Sequence, residues 1–274
     1  SHWPESGETP DRSGAYGVWL WFIEGTGMTH TQLADRLAEM GVGRVYIKVA
    51  DDQMSCTSWP ELCDPAVPNI YRSRGVEPWA WSYNYPGSEY GQSTALYRAA
   101  QSGYEGYVID IEIEFDGAGH DQTESLFSAF TQARTDAISA GLIRHHSDMP
   151  IYVTTWGNPR DHTLSIGAID PWVDAYMPQT YLAVWGASFM SDGPRWICEG
   201  TADYRALGAT KPIYHIISTE YGEISPSQLN TALLTAGPNA SLWRFPGGST
   251  PSTIWEDWRA IDWGPTPASF TPCE

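Results

Sequence analysis

Apolar positions along the chain follow two alternating rhythms. Short stretches rich in β-branched and aromatic residues occur at 16–23, 44–50, 76–83, 107–114, 151–156, 173–181, 213–218 and 241–245. Their length and composition predict eight strands. Between several of them the period changes to that of a helix. Leu33, Leu37 and Met40 share one face of the segment 31–40, and Gly41 and Gly43 follow as stop signals. Leu126, Phe127, Phe130, Ala133 and Ala137 share a face over 123–140. Ser225-Pro226 opens a further helix through Leu229, Leu233 and Leu234, with proline where a helix tolerates it best.

Strand–helix alternation repeated eight times implies parallel strands, because each return to the sheet needs a crossover. Six such units would suit an open doubly wound sheet, but eight suit closure. The expected fold is therefore α/β, a single (β/α)8 TIM barrel spanning residues 1–274, with 264–274 as a tail over the surface. A chain of 274 residues fits the roughly 250 that this architecture takes. No Gly-x-Gly-x-x-Gly follows the first strand and no Walker-type loop is present, so nucleotide binding is unsupported.

Charge and composition narrow the partners. The formal net charge is −18, from 33 acidic and 15 basic residues. A surface this negative repels nucleic acid and anionic membranes. No stretch approaches the roughly 18 to 20 apolar residues of a membrane span. Fourteen Trp and 15 Tyr are an unusual excess. Such rings are half apolar and half polar, and suit stacking on the C–H face of a sugar. Of the four cysteines, Cys56 and Cys63 flank a Trp-Pro turn and can close a short loop, which leaves Cys198 and Cys273 to pair. An even count fits an oxidising compartment, so a secreted or extracytoplasmic protein is expected; a monomer is the separate expectation for its assembly.

The most informative segment is Val108-Ile109-Asp110-Ile111-Glu112-Ile113-Glu114. As a strand it places Ile109, Ile111, Ile113 and Phe115 on one face and Val108, Asp110, Glu112 and Glu114 on the other. The apolar face should meet the helices. The acidic face then points into the barrel, with the two glutamates nearest the C-terminal mouth, where barrels carry their active sites. Carboxylates two apart on a strand sit about 6.5 to 7 Å from one another. Burial and mutual repulsion should keep some of them protonated, which is how a fold sets a general acid beside an ionised carboxylate. Oxygen ligands also suit Mg2+ or Ca2+. Without a phosphate-binding loop or an Asn/Asp-rich cage, no metal and no cofactor is expected.

Asp110-Ile-Glu112-Ile-Glu114 resembles the Asp-x-Asp-x-Glu part of the fourth strand in glycoside hydrolase family 18, the family of chitinases and related lysozymes. The sixth-strand run Asp174-Ala-Tyr-Met177-Pro-Gln179-Thr-Tyr181 resembles that family's Met/Gln-x-Tyr strand, and Trp243 resembles its eighth-strand Trp. The resemblance implies an endo-acting glycosidase with Glu114 as general acid, its pKa raised by the neighbouring carboxylates. Asp110 and Glu112 would orient the nucleophile, or Glu112 would itself be nucleophile or base. Gln179 and Tyr181 would hydrogen-bond the sugar or its acetamido group, and Trp243 would floor the subsite. Two positions depart from the family pattern: Tyr107 stands where a first Asp is expected, and Glu112 replaces an Asp. The strand also resembles the Asp-x-Glu strand of family 25 muramidases, which would make Glu112 the acid. A barrel that binds carbohydrate without cleaving it is the alternative from another class.

Other positions complete the expected site. Trp81 on the third strand, in phase with Trp79 and Tyr83, and Trp156 at the end of the fifth are candidate sugar platforms. Glu24 and Asp51 stand at the rim after the first two strands. Lys48 is out of phase with Val45, Ile47 and Val49, so it should face the interior, within reach of Asp110. His215 reads as a hydrogen-bonded core histidine.

Overall fold

The structure, a computed structural model, describes residues 14–53, 56–264 and 273–274, so most of the tail expected over 264–274 lies outside the described residues. Eight strands close into a parallel barrel in chain order. They are β1 (Gly17–Leu20), β2 (Arg44–Asp51), β3 (Glu77–Tyr83), β4 (Tyr107–Asp110), β5 (Ile151–Trp156), β6 (Ala175–Thr180), β7 (Ile216–Ser218) and β8 (Ser241–Trp243). β1 pairs with β8 through Gly17 and Val18, which completes the (β/α)8 barrel.

Ten helices accompany the strands among the described residues. They are α1 (His30–Met40), α2 (Ala66–Arg72), α3 (Glu89–Ser102), α4 (His120–Ser139), α5 (Ile166–Ile169), α6 (Leu182–Trp185), α7 (Ala187–Met190), α8 (Gly193–Ala206), α9 (Pro226–Ala236) and α10 (Ile254–Arg259). Local chemistry sets their ends. Thr29 and Gln32 form a reciprocal capping box at α1, and Gly41 closes it at a φ of 84°. Ser225 and Gln228 do the same for α9, with Pro226 at its first position.

Side-chain alternation divides the core in two. Outward residues such as Leu20, Val45, Ile47, Ile109, Val153, Ile217 and Leu242 belong to the large cluster that includes Leu37, Leu96, Phe127, Ile197 and Leu233 from the helices. Inward residues form a smaller, largely aromatic cluster of Trp19, Tyr46, Trp79, Trp81, Val108, Met177 and Ile216. Trp19 stacks on Tyr46 at 4.5 Å, and Trp79 lies 4.6 Å from Tyr152. This plug fills the barrel axis, so ligand space inside the barrel must lie above it.

β2 departs from regular pairing in a useful way. Lys48 pairs with Trp81 and Ala50 with Ser82, so the register skips one residue at a bulge. In a regular strand Lys48 and Asp51, three apart, would face opposite sides. The bulge turns both inward, and Lys48 Nζ donates to Asp51 Oδ2 at 2.8 Å. Lys48 thus faces the interior, but its ion-pair partner is Asp51 rather than the expected Asp110.

The acidic segment also differs from its predicted form. β4 ends at Asp110, and Ile113–Phe115 form a 3-10 turn. Beyond Asp110 the neighbouring β3 has run out: the Asn84 N–H, just past its end, donates to the Asp110 carbonyl at 2.9 Å. Glu112 leaves the extended region, at φ −134° and ψ −136°, and Phe115 draws the chain back into the core. Ile113, predicted to face the helices, is therefore 62% exposed.

Disulfides join Cys56 to Cys63 and Cys198 to Cys273, the pairing the spacing suggests. His215 is buried between β6 and α8, bonded to Thr180 Oγ1 at 2.6 Å and Thr201 Oγ1 at 2.7 Å. Burial holds its pKa down at about 3, so it stays neutral.

Gly106, just before β4, packs on the plug: a Cβ there would stand 2.3 Å from the Trp79 ring. Trp79 is 1% exposed and has no room to yield. Gly106→Ala should destabilise the barrel by about 1–3 kcal/mol through overpacking. Thermal unfolding should show a midpoint lowered by several degrees, and an unchanged midpoint would refute this account of the plug.

Candidate active site

Above the aromatic plug, at the C-terminal mouth of the barrel, lies a cavity of about 360 Å³. Every strand, or the loop just beyond it, supplies a lining residue. Trp19 and Trp21 come from the β1 side, Lys48 and Asp51 from β2, and Trp81, Tyr83 and Tyr85 from β3. Asp110, Glu112 and Glu114 come from β4 and its turn, and Thr154 from β5. Gln179 and Tyr181 belong to the β6 side, Ile216 to β7 and Trp243 to β8.

The three carboxylates converge on this cavity although the strand ends at the first of them. The turn that carries Glu114 is anchored on both sides. Phe115 is buried, and Asp116 accepts from His162 Nδ1 at 2.7 Å. Tyr83 Oη donates to both Glu114 oxygens, at 2.5 and 2.9 Å, which fixes that carboxyl at the cavity wall.

Asp110 lies deepest, 5% exposed, where Gln179 Nε2 donates to its Oδ1 at 3.1 Å. The same amide lies 3.3 Å from Thr154 Oγ1, whose hydroxyl donates to the Met177 carbonyl at 2.8 Å. Burial pushes the Asp110 carboxyl well above the usual carboxylate range, and the charge of Glu112 and a hydrogen bond to it add to the rise. Gln179 and Lys48 oppose it. Glu112 is also raised, by burial first and by the charge of Glu114, while its bonds with Asp110 and Gln179 pull the other way. Both carboxyls are thus pushed the same way, which favours one proton held between them over two ionised groups.

Aromatic rings wall the space opposite. Trp243 lies 5.7 Å from Trp81 and stacks with Tyr181 at 6.4 Å and 16°. Its Nε1 donates to Glu220 Oε1 at 2.6 Å, which fixes the ring plane. The Trp243–Arg244 peptide is cis. On the far side Tyr85 Oη donates to Asp51 Oδ1 at 3.1 Å. Burial and the Asp51 charge raise the Tyr85 pKa to about 12. No group of three or more His, Cys, Asp or Glu is placed to hold a metal ion among the described residues.

The cavity brings together Asp110, Glu112, Glu114, Gln179, Tyr181, Trp243 and Trp81 from the expected set. Glu24 and Trp156 stand outside it. β1 stops at Leu20, and Glu24 sits exposed on a separate 3-10 turn. Trp156 stacks on His162 at 3.9 Å and 5°, drawn away by the loop that Asp116 anchors. Trp21, Tyr85, Thr154 and Glu220 were not expected. For two of them a signal existed: Trp21 is two residues past Trp19, and Tyr85 two past Tyr83, so period-two phasing carried beyond the strand end points both inward.

No protein-family model matches the chain. No curated protein matches it in sequence. Solved structures do resemble it in fold. The glycoside hydrolase domain of PgaB (BpsB) from Bordetella bronchiseptica is 11% identical, with a TM-score of 0.55 over 84% of this chain and 93% of that one. A chitinase from Chromobacterium violaceum is 11% identical, with a TM-score of 0.51 over 90% and 98%. An endo-1,4-beta-mannanase from Rhizomucor miehei is 10% identical, with a TM-score of 0.56 over 85% and 86%.

The carboxyl pair makes stability depend on pH. Asp110 has a folded pKa above its unfolded one, so its contribution is full below the unfolded value and falls as pH rises toward the folded value. Asp110→Asn mimics the protonated form, since its amide can still donate to Glu112. It should raise the melting temperature at pH 7 by at least about 2 °C, the shift that roughly 1 kcal/mol gives a chain of this size. The gain should vanish as pH falls to about 4. A variant less stable than the parent at pH 7 would contradict the shared proton.

Proposed function

We propose that this chain is a glycoside hydrolase that cleaves O-glycosidic bonds within a polysaccharide, acting at internal linkages. The observation that carries the reading is the convergence of Asp110, Glu112 and Glu114 on an aromatic-walled cavity at the C-terminal mouth of the barrel. Apolar side chains would pack better at an interior position, so a stack of acids there calls for a chemical reason. The glycoside hydrolase domain, chitinase and mannanase that share the fold add weight by analogy. A neutral or N-acetylated glycan, such as chitin or the peptidoglycan strand, fits the acidic surface better than a polyanion. Two disulfides support a location outside the cytoplasm. Residues 1–274 are read as one barrel domain acting as a monomer.

In this reading the sugar at the reacting position lies on Trp243, flanked by Tyr181 and Trp81. Glu114, held at the wall by Tyr83, takes up a proton before the sugar is cleaved and gives it to the departing glycosidic oxygen. Glu112 faces the positive charge that develops at the anomeric carbon, as nucleophile or as base for water. Asp110 holds its proton on Glu112, and Gln179 fixes Asp110.

A second reading makes Glu112 the acid, as in family 25 muramidases. It is favoured by the burial that raises the Glu112 pKa. A barrel that binds sugar without chemistry is the contrasting class.

Glu112→Gln and Glu114→Gln, assayed on chitin, peptidoglycan and β-1,4-mannan, separate these readings. Loss of the acid should lower kcat on polysaccharide by about 10²–10⁴. The same variant should keep most of its activity on aryl glycosides whose leaving group needs no proton. That pattern is expected at Glu114. Its appearance at Glu112 instead would transfer the role, and absence of cleavage by the parent chain on every glycan would remove the enzyme reading.

A further inference from the structure

The aromatic wall of the cavity does not end at its rim. Trp21 lines the cavity and lies 6.3 Å from Trp243, ring to ring. Phe22 follows at 5.1 Å from Trp21, and Trp59 at 5.3 Å from Phe22 with planes 21° apart. The result is a row of rings from the cavity outward over the β1–β2 side of the mouth. Trp21 is 39% exposed and Phe22 42%. Burying such side chains would stabilise the fold, so leaving large rings exposed is a cost without a return in packing.

The row is nevertheless held in place from below. Lys48, its side chain only 3% exposed, sets its ammonium 4.8 Å from the Trp59 ring, 5.5 Å from Phe22 and 5.7 Å from Trp21. The Asp51 carboxylate holds that ammonium in turn. Trp59 lies within the short loop closed by Cys56–Cys63, whose cysteines are seven positions apart, which limits its motion. Lys48, which also lies 5.3 Å from Trp81, thus backs three rings whose outer surfaces stay open to solvent, and buried Arg244 adds a second cation 5.1 Å from Trp21. Rigid, ordered, exposed rings continuous with a cavity are what a pyranose chain stacks on, because the entropy of ordering has already been met.

We propose that Trp21, Phe22 and Trp59 form distal subsites that bind the part of a glycan chain extending out of the cavity. The inference rests on a carbohydrate occupying that cavity, and it adds the direction in which the chain leaves. It also gives Lys48 a second role, as a positioning residue of the row, beside its charge near the carboxyls.

Isothermal titration of the Glu114→Gln protein with chitooligosaccharides of two to six sugars, and with the matching β-1,4-mannooligosaccharides, tests this. Affinity should rise about tenfold from the shortest to the longest oligomer of the preferred series, equivalent to about 1.4 kcal/mol. Adding Trp59→Ala or Phe22→Ala should abolish that rise and leave the affinity for the shortest oligomer unchanged. Trp59→Tyr, which keeps a ring, should restore most of it. Thermal melts confirm that each variant is folded, and the two alanine variants serve as independent checks. Equal gains with length in parent and alanine variants would overturn the proposal, as would no gain in any series. A length-dependent gain in a protein whose parent cleaves nothing would keep the subsites and remove the hydrolase. Cleavage by the parent without any effect of Trp59 or Phe22 would do the reverse.

Discussion

The arrangement at the barrel mouth depends on two neighbouring carboxyls, Asp110 buried and Glu112 half-buried, whose surroundings disfavour ionising both. Asp110 and Glu112 lie at the base of a cavity whose floor is an aromatic plug, and burial raises both pKa values. One proton held between them removes much of the repulsion, and the Gln179 amide stabilises what charge is left. Around this pair the neighbours fall into order. Thr154 orients Gln179, Lys48 adds a positive charge nearby, and Tyr83 ties Glu114 to the wall above. A barrel without this pair could fill the same space with apolar side chains and be more stable. Its retention is the physical reason for reading the mouth as a place of chemistry.

The backbone makes the arrangement possible by two irregularities. The bulge in β2 places Lys48 and Asp51 on the same face, so that a buried cation has its counter-ion within reach. The turn after Asp110 spreads the acids that a regular strand would have stacked in line. Both occur at the C-terminal end of their strands, where sheet pairing gives out and side chains rather than ladders dictate the path. Below them the barrel is regular, and its interior is filled with rings that leave no channel.

Much of this was legible in the sequence, and the boundary between legible and hidden is physical. The eight strands and their phases were readable because period-two alternation reflects burial on both sides of a closed sheet. Asp110, Glu112 and Glu114 were readable as inward for the same reason, and Gln179, Tyr181 and Trp243 by family resemblance. Hidden were the features that depend on contacts between segments far apart in the chain. Ile113 is apolar and in phase, yet a turn set by Phe115 and Asp116 exposes it. Trp156 is in phase as well, yet His162 captures it. The pairing of Lys48 with Asp51 needed the bulge, which no local composition announces. The row of Trp21, Phe22 and Trp59 brings together residues nearly 40 positions apart.

The central claim is that a proton resides between Asp110 and Glu112 at neutral pH. Infrared difference spectroscopy of the parent chain against Asp110→Asn, in buffered D2O, measures it directly. A protonated carboxyl C=O band that persists at pH 7 in the parent and is missing in Asp110→Asn is the predicted result. Its absence from the parent at pH 7 would mean that both groups are ionised, and would contradict the account.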